Sequence, residues 1–66
     1  MITLEQVADR IAAIVLMASD EAAAHSQEDR LRHDVLKAIA SGADDPRALA
    51  VLALTTSDLD FARWYE

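Results

Sequence analysis

The positions of glycine and proline constrain the fold of this chain more than any other sequence feature. The single glycine is Gly42 and the single proline is Pro46, so neither residue type interrupts a helix before position 42. Thr3-Leu4-Glu5-Gln6 matches a capping box, which begins a helix, and Ser41-Gly42 is a typical helix end. No window combines the alternating pattern of a β-strand with β-branched enrichment. The sequence therefore predicts an all-α fold.

One small domain spanning residues 1–66 is predicted, with helices at about 4–41, 46–54 and 58–65. Asp45 is placed as the N-cap of the second helix, with Pro46 at its first helical position. Ser57 is placed as the N-cap of the third helix, and its first turn is acidic. The two short helices are expected to fold back on the C-terminal half of the long one.

The length of the first helix limits how the chain can assemble. A continuous helix over 4–41 would extend ~57 Å, whereas a compact chain of this length should measure only about 28 Å across. Ser26-Gln27-Glu28-Asp29 could cap a new helix and so favours a break. Ala22-Ala23-Ala24 are strong helix formers and favour continuity, which we expect.

A continuous first helix would leave its N-terminal half without cover from its own chain. Six apolar residues at helical spacing form one line along this half: Leu4, Val7, Ile11, Ile14, Val15 and Ala18. An uncovered apolar line is an association surface. We therefore predict a homo-oligomer, most simply a two-fold dimer that pairs the N-terminal halves. The alternative is a broken first helix that packs on itself as a four-helix monomer.

The same helical line becomes ionisable in its middle, at Glu21, His25, Glu28 and Arg32, before it returns to Val35 and Ile39. Three interpretations are open. These residues could face solvent as a lattice of ion pairs, or form a polar layer that fixes the register between protomers. They could also form a ligand site between subunits, with His25 and Arg32 facing an anion.

A metal site is a further hypothesis for this region, because His25, Glu28, Asp29 and His33 could offer three ligands from one helix. Two histidines on a helix are usually only polar residues, so no metal or other cofactor is expected. No nucleophile or glycine-rich loop accompanies the carboxylates. We therefore expect a protein without catalytic activity.

All three aromatic residues lie in the last six positions, at Phe61, Trp64 and Tyr65, with Arg63 among them. Their spacing places them on one face of a short helix. They could clamp the third helix onto the first, or stack on a base beside a cation. The second helix is apolar from Ala48 to Leu54, which predicts burial on more than one side and contact beyond its own chain.

Charge and hydropathy exclude several classes of function. The net charge is −6, which makes nucleic acid an improbable partner, since phosphate binding requires clustered lysine and arginine. Without cysteine there is no disulfide framework. The longest apolar run, Ile11 to Ala18, is eight residues, far short of the ~20 needed to span a membrane. We expect a soluble cytoplasmic protein.

Part of the chain resembles a family of small, functionally uncharacterised helical proteins predicted in tailed-phage genomes. The resemblance covers about two thirds of the chain and rests on four segments: His25…Glu28-Asp29-x-Leu31, Val35-Leu36-x-Ala38-Ile39-Ala40-x-Gly42, Leu49-Ala50…Ala53-Leu54-x-Thr56 and Asp60-Phe61-Ala62-Arg63-Trp64. It implies a short accessory protein made by a virus in the cytoplasm of an infected bacterium. Small phage proteins often counter host defence, some of them as helical oligomers that sequester nucleotide-derived signals.

Two hypotheses of function follow. In the first, an oligomer binds a nucleotide-derived immune signal in pockets between subunits. Its ligand-binding residues would be His25, Glu28, Arg32, His33, Arg63, Trp64 and Tyr65, with cationic groups on phosphates and an aromatic ring on a base. In the second, the chain is an interaction module that binds a host or phage protein through its apolar or acidic surface.

Overall fold

The computed structural model describes residues 1–61, which form three α-helices and a terminal 3₁₀ turn. α1 spans Leu4–Leu16, α2 spans Glu21–Ala40, α3 spans Pro46–Leu54, and the 3₁₀ turn spans Thr55–Asp58. No strand occurs among these 61 residues. The predicted all-α class is confirmed over this part of the chain.

The predicted helix ends are formed by the expected side chains. The Gln6 amide donates to Thr3 Oγ1 at 3.1 Å, and the Thr3 amide donates to Gln6 Oε1 at 2.9 Å, which completes the capping box. Asp45 caps α3 by accepting from the Ala48 amide at 3.0 Å. Gly42 ends α2 at a φ of +91°, a left-handed conformation that glycine adopts at low cost.

The predicted continuity of the first helix is wrong. The helix stops at Leu16 and restarts at Glu21, with Asp20 as the new N-cap, because the Asp20 carboxylate accepts from the Ala23 amide at 3.2 Å. Ser26–Asp29 lies inside α2 rather than at a break. The new N-cap therefore lies six residues before Ser26, the position that the sequence suggested as a cap.

Apolar burial explains why the helix breaks. The reversal brings α1 against both α2 and α3, and it buries Val7 to 0% and Ile14 to 1% exposure. Full burial of such side chains stabilises the fold by about 1.5–3 kcal/mol each. A lost helical hydrogen bond costs only about 1 kcal/mol net, and the turn recovers one of them between the Asp20 amide and the Met17 carbonyl at 2.9 Å.

The resulting structure measures 34 × 21 × 17 Å, so it is far shorter than one helix over 4–41 would be. Contributions to the core come from every α-helix and from a residue three positions after the 3₁₀ turn: Val7, Ile14, Ala24, Leu31, Val35, Ala38, Leu49, Ala53 and Phe61. The alternative of a first helix that breaks and packs on itself describes α1 and α2 correctly.

The predicted third helix does not begin where the sequence suggested. Residues Thr55–Asp58 form a 3₁₀ turn, and Leu59 is extended with φ −74° and ψ 139°. The hydroxyls of Thr55 and Thr56 donate back to the carbonyls of Leu52 and Ala53, which favours a tight turn over a new helix. Residues 62–65 of the predicted helix lie outside the described residues.

Among the described residues, no helix combines the length and the apolar character that crossing a membrane requires.

Candidate functional site

A polar layer lies between α2 and the 3₁₀ turn, and it consists of His25, Glu28 and Thr56, which are buried, and of Arg32 and Ser57, which reach the surface. Glu28 and Thr56 are completely buried, and His25 is 5% exposed. Ionisable groups are rarely buried to this degree, because their desolvation costs several kcal/mol unless partners compensate. The polar layer is therefore the most unusual feature of the interior.

Arg32 joins the two sides of the polar layer. Its Nη2 donates to Ser57 Oγ at 2.9 Å and to Thr56 Oγ1 at 3.2 Å, and it lies 3.7 Å from Glu28 Oε2. The Thr56 hydroxyl donates its own proton to the Ala53 carbonyl at 3.1 Å, so its oxygen is oriented to accept from Arg32. This arginine holds the 3₁₀ turn against α2.

Two buried nitrogens of the polar layer have no hydrogen-bond partner among the described residues, namely His25 Nδ1 and Arg32 Nε. The other ring nitrogen of His25, Nε2, lies 3.3 Å from Asp29 Oδ2. An unsatisfied buried polar group costs about 1–3 kcal/mol, and such groups often mark a site that binds a ligand or an ordered water. Arg32 keeps 35% of its side chain exposed, so the polar layer reaches the surface.

The burial of these side chains argues against one of the three interpretations of this region. A solvated lattice of ion pairs is wrong for His25 and Glu28, because α2 turns both side chains into the interior, although Glu21 and Arg32 stay partly exposed. The contacts that Arg32 makes are within its own chain. A register-fixing role between protomers and a ligand site both remain predictions.

The metal hypothesis fails on geometry. Within residues 1–61, no group of three or more histidine, cysteine, aspartate or glutamate side chains is placed to hold a metal ion. His33 is exposed while Glu28 is fully buried, since five positions along a helix correspond to about 140° around its axis. Of the four candidate ligands, His25 Nε2 and Asp29 Oδ2 lie 3.3 Å apart.

The C-terminal candidates Arg63, Trp64 and Tyr65 lie outside the described residues, so the stacking hypothesis stays a prediction. Phe61 is described and belongs to the core at 6% exposure. That position agrees with the clamp interpretation for Phe61 itself. Phe61 follows the 3₁₀ turn and the extended Leu59, however, and does not lie on a helix that begins at residue 58.

The predicted oligomer surface is partly used inside the chain. Val7 and Ile14 are buried, Ile11 and Ala18 are half-buried, and only Leu4 and Val15 are exposed, at 42% and 50%. The premise that the N-terminal half lacks cover from its own chain is therefore wrong, because the reversal at residues 17–20 brings α2 back along it. Self-association itself remains a prediction.

The apolar run of α3 is buried on one side only. Leu49 and Ala53 are each 4% exposed and face the core, whereas Val51 is 59% and Leu54 is 61% exposed. The prediction that this helix is covered on more than one side does not hold within the protomer. Whether its outer side meets another chain stays a prediction.

Sequence reasoning missed two contacts that depend on distant residues. Arg10 of α1 donates to Asp34 of α2 at 2.6 Å, and this hydrogen bond holds the pKa of the Asp34 carboxyl below its usual range despite some opposing desolvation. The sequence predicts Ser57 as a helix N-cap, but in the structure its hydroxyl accepts a hydrogen bond from Arg32. The partners are 24 and 25 positions apart, and no spacing rule connects residues at that distance.

No protein-family model, curated protein or solved structure matches this chain.

Proposed function

We propose that the protein is a phage accessory protein that acts without catalysis by binding and sequestering a nucleotide-derived immune signal at the polar layer. The supporting observation is the arrangement of Arg32. Its contacts with Glu28, Thr56 and Ser57 all use Nη2, although a guanidinium carries five N–H donors. Nη1 has no such contact within residues 1–61, and its donors would bind a phosphate.

The charge balance of the chain permits such a site only locally. A net charge of −6 repels a polyanion, but charges are screened beyond about 8 Å at physiological ionic strength. Arg32 is held in place by two hydroxyls, so little side-chain entropy is lost when a phosphate binds. The buried Glu28 carboxylate opposes an anion, so we expect a single phosphate at Arg32 and not a longer polyanion.

The proposal includes the other residues that the sequence indicated. Arg63 would provide a second cation, and Trp64 or Tyr65 would stack on a base. His25 Nδ1, which has no hydrogen-bond partner among the described residues, would form a hydrogen bond with the ligand. His33 is exposed on another side of α2 and belongs to this site only if a second subunit brings it there, as a homo-oligomer with pockets between subunits would.

The test is a thermal-shift and calorimetric screen against cyclic dinucleotides and ADP-ribose derivatives. A ligand at about 100 times its Kd should stabilise the protein by about 2.7 kcal/mol. Arg32→Lys keeps the charge near Glu28 but loses the forked donors, and it should weaken binding at least about tenfold. Arg30→Lys is the matched control, because Arg30 is exposed on the same helix. This substitution should leave ligand binding unchanged. A ligand that stabilises wild type and both variants equally would place its site elsewhere.

A second function is favoured by the outer side of α3. Val51 and Leu54 are more than half exposed and lie three positions apart, so they form one apolar face with Arg47 beside them. Such a face suits an interaction module that binds a host or phage protein. No stabilisation by any nucleotide in the screen, together with one stoichiometric protein partner in a pull-down, would favour this function over sequestration.

A further inference from the structure

α1 carries a second apolar face in addition to the one that packs into the core. It consists of Leu4, Ala8, Ile11 and Val15, here called the α1 stripe. Leu4, Ala8 and Val15 are exposed, and Ile11 is half-buried. The steps of four, three and four residues place them in one line along the helix, and no charged residue interrupts it.

The α1 stripe runs along the flank of α1 that lies away from α2. Arg10 marks the α2 side, because it donates to Asp34 of that helix at 2.6 Å. At the start of the stripe, Leu4 lines a small cavity together with Leu49 of α3. The stripe therefore borders α3 and leaves the ion pair between α1 and α2 undisturbed.

The order of side chains makes the α1 stripe complementary to a second copy in the opposite direction. Its positions are symmetric about the peptide bond between Asp9 and Arg10. In an antiparallel pair, Leu4 of one copy meets Val15 of the other, and Ala8 meets Ile11. Each small side chain is opposite a large one at the centre, which lets two helices approach closely.

The charges beside the stripe favour the same direction. In a parallel pair, Glu5 of one copy would lie beside Glu5 of the other. In the antiparallel pair these carboxylates are about nine residues apart along the axis, or ~14 Å, which exceeds the Debye length in physiological salt. The antiparallel arrangement also places the positive end of each helix dipole beside the negative end of the other, which is favourable.

We propose that a second copy of this chain covers the α1 stripe, in an antiparallel, two-fold pair of α1 helices. This differs from the dimer expected from the sequence, because Val7 and Ile14 stay in the core of each protomer and Ala8 takes part. The association rests on apolar contacts and does not depend on ligand binding at the polar layer.

The affinity should be modest and should rise with salt. One line of four side chains on a helix of ~20 Å covers less than the roughly 800 Å² per partner of a standard interface. Each copy also carries a net charge of −6, and raising the salt from about 0.05 M to about 0.5 M screens that repulsion. Dimerisation that rests on apolar contacts should therefore become tighter as the salt concentration rises over this range.

Sedimentation velocity over a concentration series tests the surface. Ala8→Glu places a charge in the middle of the stripe and should weaken dimerisation at least about tenfold. Ala13→Glu makes the same change at an exposed position of the same helix, about 140° around the axis from Ala8, and should leave it unchanged. A wild-type protein that stays monomeric at millimolar concentration in high salt, or equal effects of both variants, would overturn the proposal.

Disulfide cross-linking tests the direction, since the chain contains no cysteine of its own. An equimolar mixture of Leu4→Cys and Val15→Cys should yield the mixed disulfide, with little of either variant joined to itself. A parallel pair would instead join each variant to itself, and a different surface would give no enrichment of the mixed product over random collision. Either of those two results contradicts the antiparallel α1 pair.

Discussion

Replacing Arg32 with alanine is expected to lower the free energy of unfolding by about 1.5–3 kcal/mol, because it removes a charged hydrogen-bond donor. Glu28 is completely buried and lies 3.7 Å from Arg32 Nη2. The same change removes both hydrogen bonds that hold Thr56 and Ser57 against α2. Chemical denaturation followed by circular dichroism measures the loss.

Further variants isolate the cause of that loss. Arg30→Ala changes an exposed arginine of the same helix and should cost within about 0.5 kcal/mol. Comparison of Glu28→Gln, Arg32→Ala and the double variant measures the coupling between the two side chains, which we expect to be about 0.5–3 kcal/mol. Equal stability of Arg32→Ala and Arg30→Ala would show that Arg32 is not bound to the 3₁₀ turn.

Replacing Leu31 with alanine should cost about 3 kcal/mol, because it leaves a cavity in the core. Leu31 is completely buried near the middle of α2. A domain of this size is stabilised by only about 3–10 kcal/mol in total, so the variant should be partly unfolded near 37 °C. Thermal unfolding and denaturant titration measure the effect.

Leu36 provides a matched control for that substitution. It is a leucine of the same helix with 65% exposure, so Leu36→Ala should change the stability by less than about 1 kcal/mol. Leu31→Met keeps the volume and should cost below about 1.5 kcal/mol. A larger loss for Leu36→Ala than for Leu31→Ala would mean that α2 is rotated from the orientation described above.

The parts of the fold that depend on neighbouring residues were predictable from sequence. Thr3 with Gln6, Asp45 with Pro46, and Gly42 each set a helix end through contacts within a few positions. The bounds of α3, Pro46–Leu54, agree with the predicted 46–54 for the same reason.

The break at residues 17–20 was not predictable from the same signals, because no glycine or proline marks it. Asp20 is a favourable N-cap. A break at this residue is nevertheless stable only because the reversal buries Val7 and Ile14. That burial is a tertiary effect, and helix propensity at Ala22–Ala24 is satisfied equally well by a new helix that starts at Glu21.

The candidate site was predicted in part. Sequence periodicity identified Glu21, His25, Glu28 and Arg32 as an unusual ionisable set on an apolar line, and two of them are buried. Two of the three interpretations placed a second subunit opposite this set, whereas Thr56 and Ser57 of the same chain bind Arg32. Those contacts join α2 to the turn that follows α3, so they depend on how α3 packs against α2, which no local signal in the sequence shows.

The reversal between α1 and α2 is the central claim, and a distance between two spin labels tests it most directly. Asp9 and Lys37 line the same groove between these helices, so labels on Asp9→Cys/Lys37→Cys should lie within roughly 20 Å, allowing for their linkers. Dilution with unlabelled protein removes distances between copies. A continuous helix would place these positions ~42 Å apart, and a distance near that value would contradict the reversal and the burial of α1 that depends on it.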